Sequence, residues 1–458
     1  MEIRPLPAAP KQTWRIIGPG LVGAGIGLAS GEFILWPYIA SQIGLGLLWA
    51  AVVGVMTQWF LNMEIERYTL ATGETALTGF SRFWRHWGLV FALMTYFANL
   101  WPGWASSSAT MLTFLFGGGS VTWITIGILL LIGIGLTLAP VVYTLVERVI
   151  FLKLAAILTL VVVGILFAIT AKAWGHLPQG VTHFGQVPSS LGFSLVLGAL
   201  AFAGAGGGQN LVQSNWIRDK GFGMGKYIPR LVSPVTGEEE AVPSTGYAFE
   251  PTAENMSRWK RWWKFANLEQ LLSFPLVTVV TIVFMSMLAY STVFGRKGLE
   301  NSIDFLGVEA DKLDSAVGGW FGALFLVIGA FSLFAAAIGI VDYTSRMAAD
   351  VLKTSYLRKA KITENKLYFY LVWGLVAIGI VVMAAGFAQP LVLLVISACV
   401  GGFMMFIYSI LLLVLNRRAL PGPLKIRSYR IVALIWSVLL FGVLSVLTII
   451  EQGKELFG

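Results

Sequence analysis

Residues 18–32 read GPGLVGAGIGLASGE, inside a segment that is otherwise apolar enough to cross a membrane. This stretch is a poor helix former, because each Gly costs roughly 1 kcal/mol relative to Ala within a helix. The stretch ends on Glu32, and a carboxylate at membrane depth is costly unless it faces a cavity or a partner. We therefore expect a broken helix here, with Glu32 as the leading functional residue.

A second stretch of the same kind, GAGGGQN at residues 204–210, lies in the sixth predicted span. Either glycine cluster alone would favour close helix packing, since small residues let membrane helices approach each other. Two broken helices five spans apart are instead typical of a five-plus-five inverted repeat, whose half-helix ends bind substrate near the midplane. The candidate substrate-binding residues are Glu32, Ala29, Ser30, Gly31, Gly207, Gln209 and Asn210.

The composition predicts an all-α polytopic membrane protein. Of 458 residues, 57% are hydrophobic and 12% charged, and the mean hydropathy is +0.78, whereas soluble domains carry about 25% charged residues. The single cysteine, Cys399, excludes an internal disulfide. The net charge of +9 is spread over loops, which indicates a lipid bilayer rather than nucleic acid as partner. No catalytic or cofactor motif is present, so we expect neither an enzyme nor a bound cofactor, and the oligomeric state is not predicted.

A window of about 20 residues, the length that crosses a bilayer, finds eleven candidate spans. They lie near residues 16–40, 45–65, 87–113, 121–138, 148–171, 190–216, 267–292, 319–345, 367–386, 388–414 and 430–450. The predicted organisation is a cytoplasmic N-terminus (1–15), a first repeat (16–171), a second repeat (190–414) with a cytoplasmic loop (217–264), and a last span (430–450).

The distribution of basic residues predicts the orientation. With the N-terminus in the cytoplasm, the inner segments hold 27 of the 32 Lys and Arg residues and the outer segments hold five. This skew follows the positive-inside rule and favours a plasma (inner) membrane protein with a cytoplasmic N-terminus. Three charged residues where the second span ends, Glu64, Glu66 and Arg67, are expected to be solvated.

Several motifs resemble the natural resistance-associated macrophage protein (NRAMP) family of metal transporters. The similarity is carried by residues 18–33 of the first span, by residues 72–77 (TGETAL) after the second, and by Asn210-Leu211 in the sixth. It extends over most of the chain in span order. The resemblance implies a LeuT-like fold in which the first and sixth helices are broken.

The diagnostic motifs of that family are altered here. Its first span carries D-P-G-N, whose Asp and Asn bind the metal, and its sixth span carries M-P-H; residues 29–32 read A-S-G-E and residues 207–209 read G-G-Q. Its proton-coupled members carry D-L-x-E on the third span, where Asn99 and Pro102 replace both acidic residues. The ninth span, basic in coupled members, has no charge between Leu367 and Gln389. The family's proton route is therefore expected to be absent.

Two transport functions remain open from the sequence. Oxygen ligands from Glu32, Gln209 and exposed main-chain carbonyls suit a hard divalent cation of the Mg²⁺ or Mn²⁺ class, and the sequence favours a permease for such a cation. Residues 23–27 (GAGIG) also resemble the G-S-G-I-F break of amino-acid permeases, which implies an amino acid or another small organic solute. A receptor or sensor that does not transport is a third class on the same scaffold.

One further pair of residues is a candidate for an inner gate. Asp342 and Arg346 lie one helical turn apart at the end of the eighth span. An ordinary ion pair between residues i and i+4 at the interface is the simpler interpretation.

Overall fold

The computed structural model describes residues 1–10, 19–139, 141–188, 190–229, 246–299, 302–387 and 389–457, so the predicted segment at residues 11–18 lies outside the described residues. The helices of the first half are α1 (Pro19–Gly27), α2 (Trp36–Ile43), α3 (Leu48–Thr72), α4 (Ala76–Phe80), α5 (Trp87–Asn99), α6 (Gly103–Phe116), α7 (Val121–Leu138), α8 (Val142–Phe167), α9 (Ala171–His176) and α10 (Gln179–Thr182). Those of the second half are α11 (Phe193–Ala201), α12 (Gly208–Lys220), α13 (Ala253–Leu271), α14 (Val277–Thr292), α15 (Phe305–Val317), α16 (Phe321–Val351), α17 (Glu364–Ala384), α18 (Pro390–Arg418) and α19 (Tyr429–Phe457). Two short strands, β1 (Glu2–Ile3) and β2 (Tyr247–Ala248), pair in parallel.

Eight helical segments among the described residues are long and apolar enough to cross a membrane. The other three predicted spans correspond to α3, to α5 with α6, and to α11 with α12. A π-helical turn at Leu272–Leu276 joins α13 to α14. The seventh span is therefore part of one continuous helix that begins at Ala253, well before the expected start at residue 267.

The third span is not the single helix expected over residues 87–113. α5 ends at Asn99, α6 begins at Gly103, and Pro102 lies between them with φ −79° and ψ 45°. Proline has no N–H to donate and disfavours a helical conformation in the residue before it. The third span is therefore broken as well as the first and the sixth.

The first and sixth spans are broken, as the sequence predicts. α1 ends at Gly27, and the helix resumes with a π-helical turn at Gly31–Leu35 that leads into α2. In the sixth span the residues between α11 and α12 are not helical, and Gly206 and Gly207 have φ values of +73° and +77°. These left-handed conformations are accessible to glycine without steric cost.

The glycine run of the first span lies mostly inside α1 rather than in the break. A Cβ atom at Gly25 would lie 2.0 Å from Cγ2 of Ile150 on α8. This glycine lets α1 and α8 approach closely, as small residues do between membrane helices. The break itself falls on Leu28 and Ala29.

The N-terminus crosses one face of the bundle as an extended segment, residues 2–7, which we call the N-terminal strap. Leu6 is fully buried, and its N–H donates to Asn255 Oδ1 at 3.1 Å. Trp262 Nε1 donates to the Pro7 carbonyl at 2.8 Å. The strap therefore ties the N-terminus to the first turns of α13.

The charged residues near the end of α3 are buried, so the expectation that they are solvated is wrong. Glu64, Glu66 and Arg67 are all less than a tenth exposed. Glu64 accepts from Arg67 Nε at 2.7 Å and from Arg430 Nη1 at 3.2 Å. The reason is that Trp263 of α13, Asn416 of α18 and Arg430 of α19 contact this end of α3.

Candidate functional site

The two helix breaks of the first and sixth spans lie against each other. A Cβ atom at Gly31 would lie 1.9 Å from the Phe202 carbonyl oxygen, and one at Gly27 would lie 2.4 Å from that of Gly204. Glycine at these positions allows the two backbones to touch. The candidate site is therefore built on a backbone junction that is closed at these points in this conformation.

The contact at Gly31 gives a first prediction. Gly31→Ala places a methyl group where the Phe202 carbonyl lies, so the two broken spans must move apart. Overpacking of this kind costs about 1–3 kcal/mol, and the thermal unfolding midpoint of the purified protein should fall. Gly135→Ala on α7 is the matched control, because nothing lies within 4 Å of the added methyl group. Equal midpoints for the two variants would contradict the contact.

Glu32 lies where the helix resumes after the first break. Its side chain is fully buried, and Oε2 accepts the main-chain N–H of Ala29 at 3.1 Å. The other oxygen, Oε1, is buried and has no hydrogen-bond partner among the described residues. The carboxyl group thus accepts a main-chain N–H within the break through one oxygen and keeps the other oxygen available to a ligand.

Lys153 of α8 is the main site residue that the sequence analysis missed. It is fully buried, and its Nζ donates to the Gly25 carbonyl in the last turn of α1 at 2.6 Å. The ammonium group also interacts electrostatically with Glu32. The basic-residue count assigns Lys153 to the inner loops, although a lysine inside a predicted span is itself a signal of function.

Gln209 and Asn210 occupy the first turn of α12 and have different roles. Gln209 Nε2 donates to the Gly23 carbonyl and so links the two broken spans. Asn210 Oδ1 accepts the N–H of Gly207 at 2.9 Å, and its Nδ2 donates to Asn62 Oδ1 at 2.7 Å. Both polar atoms of Asn210 are engaged within the protein, so in this conformation Asn210 caps α12.

The remaining predicted site residues lie at the same junction. Ala29 supplies the N–H that Glu32 accepts, and Ser30 is buried beside it. A Cβ atom at Gly207 would lie 2.5 Å from Cα of Gly401 on α18. All seven candidates thus lie at or next to the two breaks, but Gly207 packs on α18 and Asn210 binds α3.

Gln58 of α3 supports the break in the sixth span. Its Oε1 accepts the N–H of Ala205 at 2.7 Å, and its Nε2 donates to the carbonyls of Leu200 and Ala201 at 3.0 and 2.8 Å. Main-chain polar groups without partners are costly at membrane depth. Gln58 therefore stabilises a break that helical hydrogen bonds cannot satisfy.

The two altered proton-route positions lie at the break in the third span. Asn99 Nδ2 donates to Tyr343 Oη at 3.0 Å and to Thr344 Oγ1 at 2.8 Å, both on α16. Pro102 directly precedes α6. Asn99 therefore links the third and eighth spans through neutral hydrogen bonds.

The predicted pair of Asp342 and Arg346 forms, and it is more than an interfacial ion pair. Arg346 Nη2 donates to Asp342 Oδ1 at 3.0 Å, and Nη1 donates to Asp219 at the end of α12. Tyr368 of α17 donates to Asp342 Oδ1 at 2.9 Å. Since Asp342 and Arg346 are fully buried, this network joins the sixth, eighth and ninth spans within the protein.

A second buried ion network lies beside the first. Arg218 Nη1 donates to Asp350 at 2.9 Å, and Nη2 donates to Glu364 at 3.1 Å. Thr75 Oγ1 donates to Asp350 Oδ2 at 2.8 Å. Together the two networks hold the ends of several spans together on the side of the N-terminal strap.

The junction of the breaks holds one acidic and one basic side chain. Glu32 supplies a carboxyl group, and Lys153 supplies an amine that interacts with it. Across the part of the chain that the structure describes, no group of three or more His, Cys, Asp or Glu residues is placed to hold a metal ion. The junction therefore combines one acidic oxygen, one amine and several main-chain groups.

Comparison with solved structures identifies the fold. A mutant of the manganese transporter from Eremococcus coleocola gives a TM-score of 0.72 at 13% identity, over 100% of this chain and 91% of that chain. Mhp1, a nucleobase-cation-symport-1 family transporter with bromovinylhydantoin bound, gives 0.56 at 11%, over 97% and 95%. MhsT in complex with L-phenylalanine gives 0.52 at 13%, over 95% and 100%. The chain has the LeuT-like fold.

The LeuT-like fold confirms the predicted class. The chain is an integral membrane protein with broken first and sixth helices in a five-plus-five repeat. No family model matches the sequence, and no curated protein matches it. At 11–13% identity the solved structures establish the fold alone.

Proposed function

We propose that the chain is a secondary transporter rather than an enzyme, and that it carries a small organic solute through the junction of the first and sixth spans. The LeuT-like fold and the paired helix breaks support alternating access around this junction. The buried ion networks of Arg346 and Arg218 support a closed inner gate, since they join spans that must separate for the site to open inward. Amino acids are the class to test first.

The position of Lys153 favours a solute without net charge over a divalent cation. Its amine donates to the Gly25 carbonyl and interacts electrostatically with Glu32. A divalent cation at Glu32 would lie near this amine, which repels a cation whenever it is protonated, whereas protein sites for hard cations hold the ion with carboxylates and other oxygens. A solute with no net charge meets no such repulsion.

The available oxygen of Glu32 supports a solute that carries an amine. Oε1 is buried without a hydrogen-bond partner in the described residues, and an ammonium group supplies the donors that this acceptor lacks. In transporters with broken helices, half-helix N-termini bind the carboxylate of the substrate. An α-amino acid presents both groups in one small molecule.

A hard divalent cation of the Mg²⁺ or Mn²⁺ class is the second candidate. Oε1 of Glu32 and the side-chain oxygen of Gln209 are ligands that suit such ions. Binding would require Lys153 to lose its proton or to move away. Lys153→Met should therefore increase divalent-cation transport if this candidate is correct, and should impair transport of a zwitterion.

The coupling and the cellular setting belong to the same proposal. The neutral residues Asn99 and Pro102 support transport without the family's proton route. The distribution of basic residues supports a plasma (inner) membrane location with a cytoplasmic N-terminus. The partners that this function requires are the transported solute and the lipid bilayer.

Reconstituted protein tests the proposal directly. Proteoliposomes are assayed for uptake of a panel of radiolabelled amino acids and, in parallel, for Mn²⁺ and Mg²⁺ entry with an enclosed divalent-ion dye. We expect saturable uptake of at least one amino acid and no divalent-ion entry. Divalent-ion entry alone would favour the second candidate, and no flux of any kind would favour a receptor or sensor.

Glu32→Gln gives the matching prediction for the site. Because the variant removes the charged acceptor with little change in shape, uptake should fall about tenfold or more, the usual effect of losing one hydrogen bond to a charged group. The purified variant should remain monodisperse. Glu254→Gln is the matched control, since that side chain is 73% exposed. Full uptake by Glu32→Gln would remove Glu32 from the mechanism.

A further inference from the structure

Helix α15 covers the end of the bundle opposite the N-terminal strap. The Phe305 ring lies 6.1 Å from the Tyr38 ring in the first turn of α2. A Cβ atom at Gly322 of α16 would lie 2.3 Å from the Ala310 carbonyl oxygen, and one at Gly307 would lie 3.4 Å from the Phe114 ring of α6. We call α15 the plug, because it packs on the second half of the first span and on two of its neighbours.

The plug carries one fully buried acidic residue, Glu309. Neither carboxylate oxygen has a hydrogen-bond partner among the described residues. Asp311 and Lys312, on the same helix, are exposed. An ionised carboxylate without partners is very costly to bury, so Glu309 is neutral while the plug is packed.

Few titratable groups face Glu309 from the helices around it. α6 carries none, and those of α16 lie near its far end, beyond residue 341. α14 contributes Tyr290 and α2 contributes Tyr38. On the plug itself, Asp314 Oδ1 accepts the N–H of Gly322, and Glu309 accepts from none of these groups.

We propose that Glu309 is a proton-binding site through which the pH on this side of the membrane controls the opening of the plug. With its proton bound, Glu309 packs among apolar neighbours and the plug is closed. When the proton leaves, the charged carboxylate is stable only in water, so the plug opens. The predicted orientation makes this the external side, and the link to transport rests on the proposed function.

The direction and the pH range follow from the two states of the carboxyl group. Burial raises the pKa of Glu309 from 4.5 to about 8 in the closed plug, whereas a solvated glutamate has its ordinary value. The closed state therefore binds one more proton than the open state between these two values. Closure is fully favoured at acid pH, and the opening equilibrium rises up to tenfold per pH unit between about pH 5 and pH 8, then levels off.

Hydrogen exchange of the full-length protein in detergent tests this without any transport assay. The measured quantity is the protection factor of the α15 amides, which corrects for the pH dependence of intrinsic exchange. We expect it to fall steeply in the wild-type protein between pH 5 and 8. In Glu309→Gln, which cannot ionise, it should stay level, and the control Asp311→Asn should behave like the wild type.

Level protection of α15 in the wild-type protein would overturn the proposal, even if Glu309→Gln does not fold. So would an equally steep fall in Glu309→Gln. A second variant, Glu309→Leu, keeps the position apolar and should also show level protection. Since exchange needs no substrate, a pH-dependent plug in a protein without any flux would overturn the proposed transport function and leave the proton site standing.

Discussion

Substituting Arg346 by Met should lower the free energy of unfolding by about 3–5 kcal/mol, the range observed when one partner of a buried ion pair is removed. Arg346 holds two buried carboxylates, Asp342 on its own helix and Asp219 on α12. Without the guanidinium both would be buried close together with no positive partner. The change is measured as a shift of the unfolding transition of the purified protein in detergent.

A partly exposed ion pair supplies the control for Arg346. Lys220 pairs with Glu147, and about a quarter of each side chain is exposed, at 24% and 22%. Pairs in contact with solvent contribute about 0–1 kcal/mol, so Lys220→Met should change the transition little. If the two variants were equally stable, Arg346 would not hold the adjoining ends of the sixth and eighth spans together.

Replacing Lys153 by Met should destabilise the protein by about 1–3 kcal/mol, because the buried Gly25 carbonyl loses its donor and Glu32 loses its basic neighbour. The double variant Glu32→Gln, Lys153→Met should recover part of this loss, since it removes both charges. We expect an interaction free energy of about 1–3 kcal/mol from the double-mutant cycle.

The cycle is measured from unfolding of the four proteins under one condition, together with their amino-acid uptake. Uptake should be impaired in both single variants and also in the double variant, because the double variant recovers stability without restoring the groups of the proposed binding site. Strictly additive effects on unfolding would show that Glu32 and Lys153 act independently. The amine of Lys153 would then no longer count against a divalent cation at Glu32.

The helix breaks were predictable because they depend on local chemistry. Glycine-rich stretches at corresponding positions of two repeats are visible in the sequence, and the cost of burying a carboxylate singles out Glu32 within the first of them. The break in the third span depends on Pro102 in the same local way. A proline between apolar residues is tolerated in many membrane helices, so its position alone did not predict the break.

The partners of the breaks were not predictable because they depend on tertiary packing. Lys153 reaches Gly25 and Gln58 reaches Ala205 across large sequence separations. The same packing explains Asn210, whose amide was expected to face a ligand and instead binds Asn62 and the Gly207 N–H. Periodicity and hydropathy assign a residue to a span, whereas the face it presents is set by the neighbouring helices.

The N-terminal strap has a consequence for the order of assembly during synthesis. Glu2 pairs with Tyr247, and the Pro7 carbonyl accepts from Trp262. A growing chain leaves the ribosome N-terminus first, so the strap does not have all its partners until translation has passed Trp262. By then the first six spans have been made. The strap residues are thus synthesised before these spans yet reach their final positions only after them, and nascent chains that stop before residue 262 cannot complete this face.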